Sequence, residues 1–301
     1  MKYGNLTFGQ VEALVNILGG EKAVRAILRG EKAVYRADEG ALPLFDRHGR
    51  RIAPPGMEEA AGFGGPNSEV CLAQPSDFYA PVPEQRFAKL RALLSREIPM
   101  TPAEFRERAG KAVQRIAFGD KKVHDTLGGV CLPIFLPQVV STDCGTMVDE
   151  LALLHAVKRV FEERFPSQKF IGDSSKMASL LRVVEGSHHE RFFTALNKGP
   201  VVALYFPLAL QGFLPRAAVE QMASLPEEFL LAGILETAAA IVMYPDVLLR
   251  DSHVPTLGCP AVRDGFRDPL GFELFDDNTL IFGQVQIINY GKYSSGLVVL
   301  A

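Results

Sequence analysis

Gly199-Pro200-Val201-Val202-Ala203-Leu204-Tyr205-Phe206-Pro207 opens the longest uncharged stretch of the chain, 17 residues ending at Pro215. The stretch falls short of the ~20 apolar residues that span a bilayer, and Pro200, Pro207 and Pro215 interrupt it. It reads as a buried strand, Val201–Phe206, with the loop that follows. Two more apolar runs end in the same way. Val130 to Phe135 is followed by Leu136-Pro137, and Ala239 to Tyr244 by Pro245. Helical patterns lie between them. Met147, Leu151, Leu154, Phe161 and Phe165 form a stripe over 146–165. Phe192 and Leu196 share a face over 188–198, behind Ser187-His188-His189-Glu190, which has the form of a capping box. Buried strands alternating with amphipathic helices predict an α/β layer, and near-continuous apolar strands suit a sheet covered on both faces. The expected fold class is α/β, with a mixed or mostly parallel central sheet and flanking helices.

Toward the N-terminus, Thr101-Pro102-Ala103-Glu104 supplies N-cap, N1 proline and N3 carboxylate for a helix running to about Phe118. Pro83–Glu97 places Phe87, Leu90 and Leu94 on one helical face. Residues 57–82 form a Gly/Pro-rich linker or long loop. Before it lies a region, 1–56, with a helical pair and a hairpin. Thr7-Phe8-Gly9-Gln10 caps a first helix, Gly19-Gly20 stops it, and a second runs from Glu21 to Arg29. Arg47-His48-Gly49-Arg50-Arg51 reads as a solvated hairpin tip or a phosphate contact. Residues 83–301 make the α/β core with a C-terminal β extension. In that extension, Gly271–Phe275, Asp276-Asp277-Asn278 and Thr279–Phe282 predict a hairpin. Val285–Asn289 and Leu297–Leu300 predict two further strands around a Gly-Lys-Tyr-Ser-Ser-Gly turn. These C-terminal antiparallel strands are expected to close the molecule or extend one edge of the main sheet.

At 301 residues and 48% apolar, the chain can bury a core without staples. Its 32 Lys and Arg against 35 Asp and Glu give a net charge of −3, which disfavours a dedicated nucleic-acid binder. Cys71, Cys131, Cys144 and Cys259 form no C-x-x-C pair, so reduced, unpaired thiols are expected. With no apolar leader after Met1-Lys2, the expected location is cytoplasmic.

Three segments carry a resemblance: Phe8-Gly9-Gln10-Val11-Glu12-Ala13-Leu14-Val15-Asn16-Ile17-Leu18-Gly19-Gly20, Asp46-Arg47-His48-Gly49-Arg50-Arg51-Ile52, and Gly199 through Pro207. Together with Tyr244-Pro245-Asp246-Val247-Leu248, they resemble an uncharacterised family of bacterial proteins with no assigned function. The resemblance implies a bacterial cytoplasmic protein and carries over no catalytic residue.

Candidate chemistry clusters where strands are expected to end, because ligands in open α/β sheets bind there. Asp246 follows Tyr244-Pro245, with Arg250, Asp251 and His253 close behind. These could bind a metal, an anion or a polar substrate, or serve only as a helix cap and a salt bridge. Asp143-Cys144 precedes a helix, where the dipole lowers a thiol pKa; a nucleophile there would need a base from His124, His155, His188 or His189. The alternative is an unreactive loop cysteine. Tyr205 and Tyr244 could line a pocket or serve as core aromatics. His188 and His189 point ~100° apart on a helix, so no metal site is expected there. His155 reads as a partly buried structural histidine. The residues leave any cofactor unassigned.

Three functions stay open. The preferred one is a non-catalytic binding or scaffold protein, with residues 7–30 available to a protein partner. The second is a hydrolytic enzyme using Asp246, Asp251 and His253 with Asp143 or Cys144. The third is nucleic-acid binding through a helix-turn-helix presenting Arg25, Arg29 and Lys32.

Overall fold

The computed structural model describes residues 43–54, 72, 82–94, 98–138, 147–172, 181–264, 270–284 and 290–301, with Glu21, Val24 and Arg25, which are helical. The chain divides into two units, Met1–Leu42 and Pro43–Ala301. The hairpin at 43–54, grouped above with the N-terminal helices, is part of the second unit. The rest of the helical pair, nearly all of 57–82 and the strand expected at Val285–Asn289 lie outside the described residues.

Helix α1 is Val82–Leu94, α2 Pro102–Phe118 and α3 Lys121–His124. Strand β1 (Leu132–Leu136) and helix α4 (Met147–Arg164) follow, then β2 (Phe170–Ile171), β3 (Leu181–Val183) and α5 (His189–Lys198). The expected cap of α2 is present in full: Thr101 Oγ1 accepts from the Glu104 amide, and the Glu104 carboxylate accepts from the Thr101 amide.

Strand β4 is Val201–Gln211, and every residue in it is buried. It runs well past the expected end at Phe206. Ala203 and Tyr205 enter one core, while Leu204, Phe206 and Leu210 enter the other, as the two-residue period of a strand requires. On one side β4 pairs antiparallel with β1, Tyr205 facing Leu132. On the other it pairs with β10 (Tyr293–Leu300). Ser295 faces Leu210 and Leu297 faces Phe206, so Gly296 lies opposite Pro207, Leu208 and Ala209. This irregularity admits a proline, which has no N–H for the ladder. The Ser294 hydroxyl donates to the Pro207 carbonyl at 2.6 Å, and the Arg51 amide donates to the Ala209 carbonyl at 2.7 Å.

After β4 come α6 (Pro215–Met222), β5 (Phe229–Leu231), α7 (Ile234–Met243) and α8 (Pro245–Leu248). Strands β6 (Thr256–Gly258), β7 (Val262–Asp264), β8 (Leu270–Leu274) and β9 (Leu280–Gln284) complete the order before β10. Among the described residues the main sheet has eight strands in the order β1-β4-β10-β6-β8-β9-β2, with β5 also on β10. Strands β3 and β7 form a separate pair. The α/β class holds, with a mixed sheet. Antiparallel pairs dominate it, and only β10–β6 and β2–β9 are parallel. The β8–β9 hairpin is as expected. Leu297–Leu300 is likewise an antiparallel strand, but β10 starts earlier, taking in Tyr293, Ser294 and Ser295 of the expected turn, and lies in the middle of the sheet rather than at an edge.

The run Ala239–Tyr244 is helical, so the strand expected there is corrected. All ten residues of α7 are buried. A short apolar run fits a buried helix as well as a buried strand. Here Ala238-Ala239-Ala240 favours the helix, and the Glu236 carboxylate caps it by accepting from the Gly233 amide at 3.2 Å. Helix α7 packs against α4 and β1 in the larger core, while α6 and the C-terminal half of α2 fill the second core across the sheet. Among the described residues no helix is long and apolar enough to cross a membrane. Cys131 and Cys259 are buried, and Cys71 and Cys144 lie outside the described residues.

Candidate functional site

With Tyr244 ending a helix, Asp246 does not stand at a strand end. It sits in the first turn of α8, gripped by Arg86 of α1. Arg86 Nη1 and Nη2 meet Asp246 Oδ1 and Oδ2 at 2.6 and 2.8 Å, and Nη1 also donates to the Met243 carbonyl at 2.9 Å. The guanidinium lies 4.5 Å above the Tyr244 ring. Burial pushes the Asp246 carboxyl up, but the hydrogen bonds and charge of Arg86 outweigh it and hold the group below the ordinary range. Asp251 is occupied by Arg250 Nε at 2.8 Å and by the His253 amide at 2.9 Å. These bonds overcome its partial burial and lower its carboxyl too. Arg250, Asp251 and His253 thus form a local turn. Asp143 and Cys144 lie outside the described residues.

Tyr205 and Tyr244 are both buried. Tyr244 donates to the Pro133 carbonyl at 2.8 Å, tying α7 to β1. Tyr205 lies against Gly296, where an added Cβ would come 2.3 Å from its ring. Neither lines an open pocket.

His188 and His189 act together, but not as the expected capping box. His188 is itself the N-cap, with φ of 60°, and makes no capping bond. The Leu231 amide donates to the Ser187 carbonyl at 3.0 Å, His188 Nδ1 lies 3.2 Å from the Phe229 carbonyl, and His189 Nδ1 lies 3.1 Å from the Leu231 carbonyl. Ser187-His188-His189 therefore covers the edge of β5 that faces away from β10. His155 is exposed rather than half-buried. In the Arg47–Arg51 cluster, Arg50 pairs with Asp46 at 3.0 Å, and Arg51 is buried, bonded to the Leu44 carbonyl and Ser224. That leaves Arg47 and His48 at the tip of a hairpin. Among the described residues no three His, Cys, Asp or Glu side chains are placed to share a metal ion.

Among the described residues an open groove lies elsewhere. Helix α6 buries Ala217, Ala218, Gln221 and Met222, which leaves Pro215, Arg216, Val219 and Glu220 on its outer face. That face borders a groove of about 470 Å³ whose other walls are Val184, Pro260 and Val262, with Arg263 at the rim. The ladder of β3 and β7 fixes one wall: Val183 faces Val262, and the Val184 amide donates to the Ala261 carbonyl at 2.9 Å. Gly186 then turns the chain toward α5 with φ of +81°, a conformation that favours glycine. Arg216 and Glu220 pair with each other at 3.1 Å along α6. The chemistry on offer is apolar burial with a cationic rim.

No family model matches the chain, and neither a curated protein nor a solved structure is similar to it at a significant level.

The sequence reading missed this groove because its residues come from three separate segments. One signal was present. Arg182-Val183 and Val262-Arg263 are mirror-image dipeptides, the form that two paired antiparallel strands give when like residues face each other.

Proposed function

We propose that this chain is a non-catalytic binding protein whose site is the groove between α6 and the β3–β7 pair. The observation that carries the reading is the groove itself: about 470 Å³, walled by Val184, Pro215, Val219, Pro260 and Val262. That volume is within the ~300–1,000 Å³ typical of small-molecule sites, which are mostly apolar with a few placed polar groups. Asp246 and Asp251 of the hydrolytic alternative, by contrast, are engaged in ion pairs and turn bonds. A bacterial, cytoplasmic location belongs to the same proposal and rests on the sequence features and resemblance given above.

The test is fluorescence titration with Nile red, a neutral apolar dye. Saturable binding at one site is expected, weakened at least about tenfold by Val219→Asp, which places a charge on the apolar wall. Val219 is only half-buried, so the variant is expected to keep the wild-type circular dichroism spectrum. A wild-type protein that does not bind the dye saturably, or a folded variant that binds as well as wild type, would overturn the proposal.

A further inference from the structure

Arg182 and Arg263 are direct partners in the β3–β7 ladder. Directly opposed residues of an antiparallel pair project from the same face, with Cβ atoms ~5 Å apart, and like charges so placed repel. Both arginines are exposed, and among the described side chains neither makes an ion pair. Glu220, the acid in the groove lining, is paired with Arg216; Arg263 stands in that lining, while Arg182, its ladder partner, and Glu185, at the turn, flank it. Among the described residues the repulsion between the two guanidinium groups is left unrelieved, and an anion bridging them would remove it. Arginine presents a planar fork that matches a carboxylate with two parallel hydrogen bonds.

We infer that the groove takes a free amphipathic carboxylate, its apolar tail lying against Val184, Val219 and Val262 and its carboxylate held by Arg263 with Arg182. This inference rests on the binding function proposed above and adds the class of ligand. Arg263 is at the rim, so a bound tail leaves the head group at the charged end. The two arginines then serve as the specificity determinant, while the apolar wall supplies most of the burial.

Calorimetric titration of the full chain with decanoate, decanol and decyltrimethylammonium at pH 7.5 tests it. The three probes share a ten-carbon tail and differ in head-group charge. Decanoate is expected to bind at least about tenfold more tightly than decanol, the scale of one charge-assisted hydrogen bond, and the cationic probe is expected to bind weakest. Arg263→Gln should bring decanoate to the affinity of decanol and leave decanol unchanged. Arg182→Gln should do the same in part. Both positions are exposed and each change relieves the repulsion, so the variants should fold as wild type does and melt no lower. Equal binding of decanoate and decanol by the wild type would overturn the ligand class and leave the groove as a neutral apolar site. A discrimination that survives in the Arg182→Gln/Arg263→Gln double variant would likewise overturn the role of this pair. Binding of none of the three probes would overturn both the class and the binding function.

Discussion

His189 Nδ1 lies 3.3 Å from Glu236 Oε1, and both side chains are sealed from solvent. The same nitrogen is 3.1 Å from the Leu231 carbonyl, and the other carboxylate oxygen accepts from the Gly233 amide. The imidazole stacks on Phe192 at 5.1 Å. This junction ties the start of α5 to β5 and to the start of α7. Burial lowers the His189 pKa from 6.5 to about 4, against the opposing pull of the Leu231 carbonyl, so the native ring is neutral.

A pH dependence follows. Because the folded pKa is depressed, the unfolded chain takes up the proton first. Stability is full above about pH 6.5 and falls as the pH drops toward about 4, by ~3 kcal/mol at most. Urea unfolding at pH 7, 5.5 and 4.5 is expected to show the fall, and His189→Gln to flatten it. A wild-type profile that is flat over this range would rule the histidine out as its source.

The two tyrosines singled out in the sequence should respond oppositely to loss of the hydroxyl. Tyr244→Phe abandons the bond to the Pro133 carbonyl and should cost ~1–2 kcal/mol. The Tyr205 hydroxyl is buried beside Thr237 and among the described residues makes no hydrogen bond of ordinary geometry, so Tyr205→Phe should be neutral or stabilising. Equal losses in paired denaturation curves would contradict this assignment.

Glycine-to-alanine changes should likewise split by site. At Gly258 an added Cβ would lie 1.9 Å from Tyr293 Oη inside the core, and a loss of about 3 kcal/mol or more is expected. At Gly110, within α2, the added methyl meets nothing within 4 Å, and helix propensity should give a gain of ~0.5–1 kcal/mol. Thermal melts of the two variants should move in opposite directions, and a fall for both would show that α2 is not limited by its glycine.

Arg86 is expected to matter more than Asp246. Arg86→Ala removes the paired hydrogen bonds, the bond to the Met243 carbonyl and the stacking on Tyr244, for ~2 kcal/mol. The Asp246 side chain is half exposed, so solvent screening discounts its share, and Asp246→Asn should cost ~1 kcal/mol or less. The Asp246 carboxyl is held below its usual 3.8, so its contribution is complete above that pH and is lost only as the pH falls through the lowered value. Its window therefore lies below that of His189. An Asp246→Asn variant less stable than Arg86→Ala would reverse this ranking.

The sequence by itself determined what depends on neighbours along the chain. The Thr101–Glu104 cap, the helix it begins, the Asp276-Asp277-Asn278 hairpin turn and the buried run from Val201 were all legible. Periodicity and capping are local properties, and the residues that satisfy them lie within a few positions of each other. Tertiary structure decided the rest. Ala239–Tyr244 is apolar enough for a strand or a helix, and burial on every side by α4 and β1 admits the helix. Pro207 looked like the end of a strand until the irregularity at Gly296 accommodated it. Asp246 belonged to a candidate site until Arg86, 160 residues away, engaged both its oxygens. Arg182 and Arg263 were isolated surface charges until a ladder set them face to face. Pairing across such distances depends on which strands and helices meet, and that is set by the joint burial of the whole core.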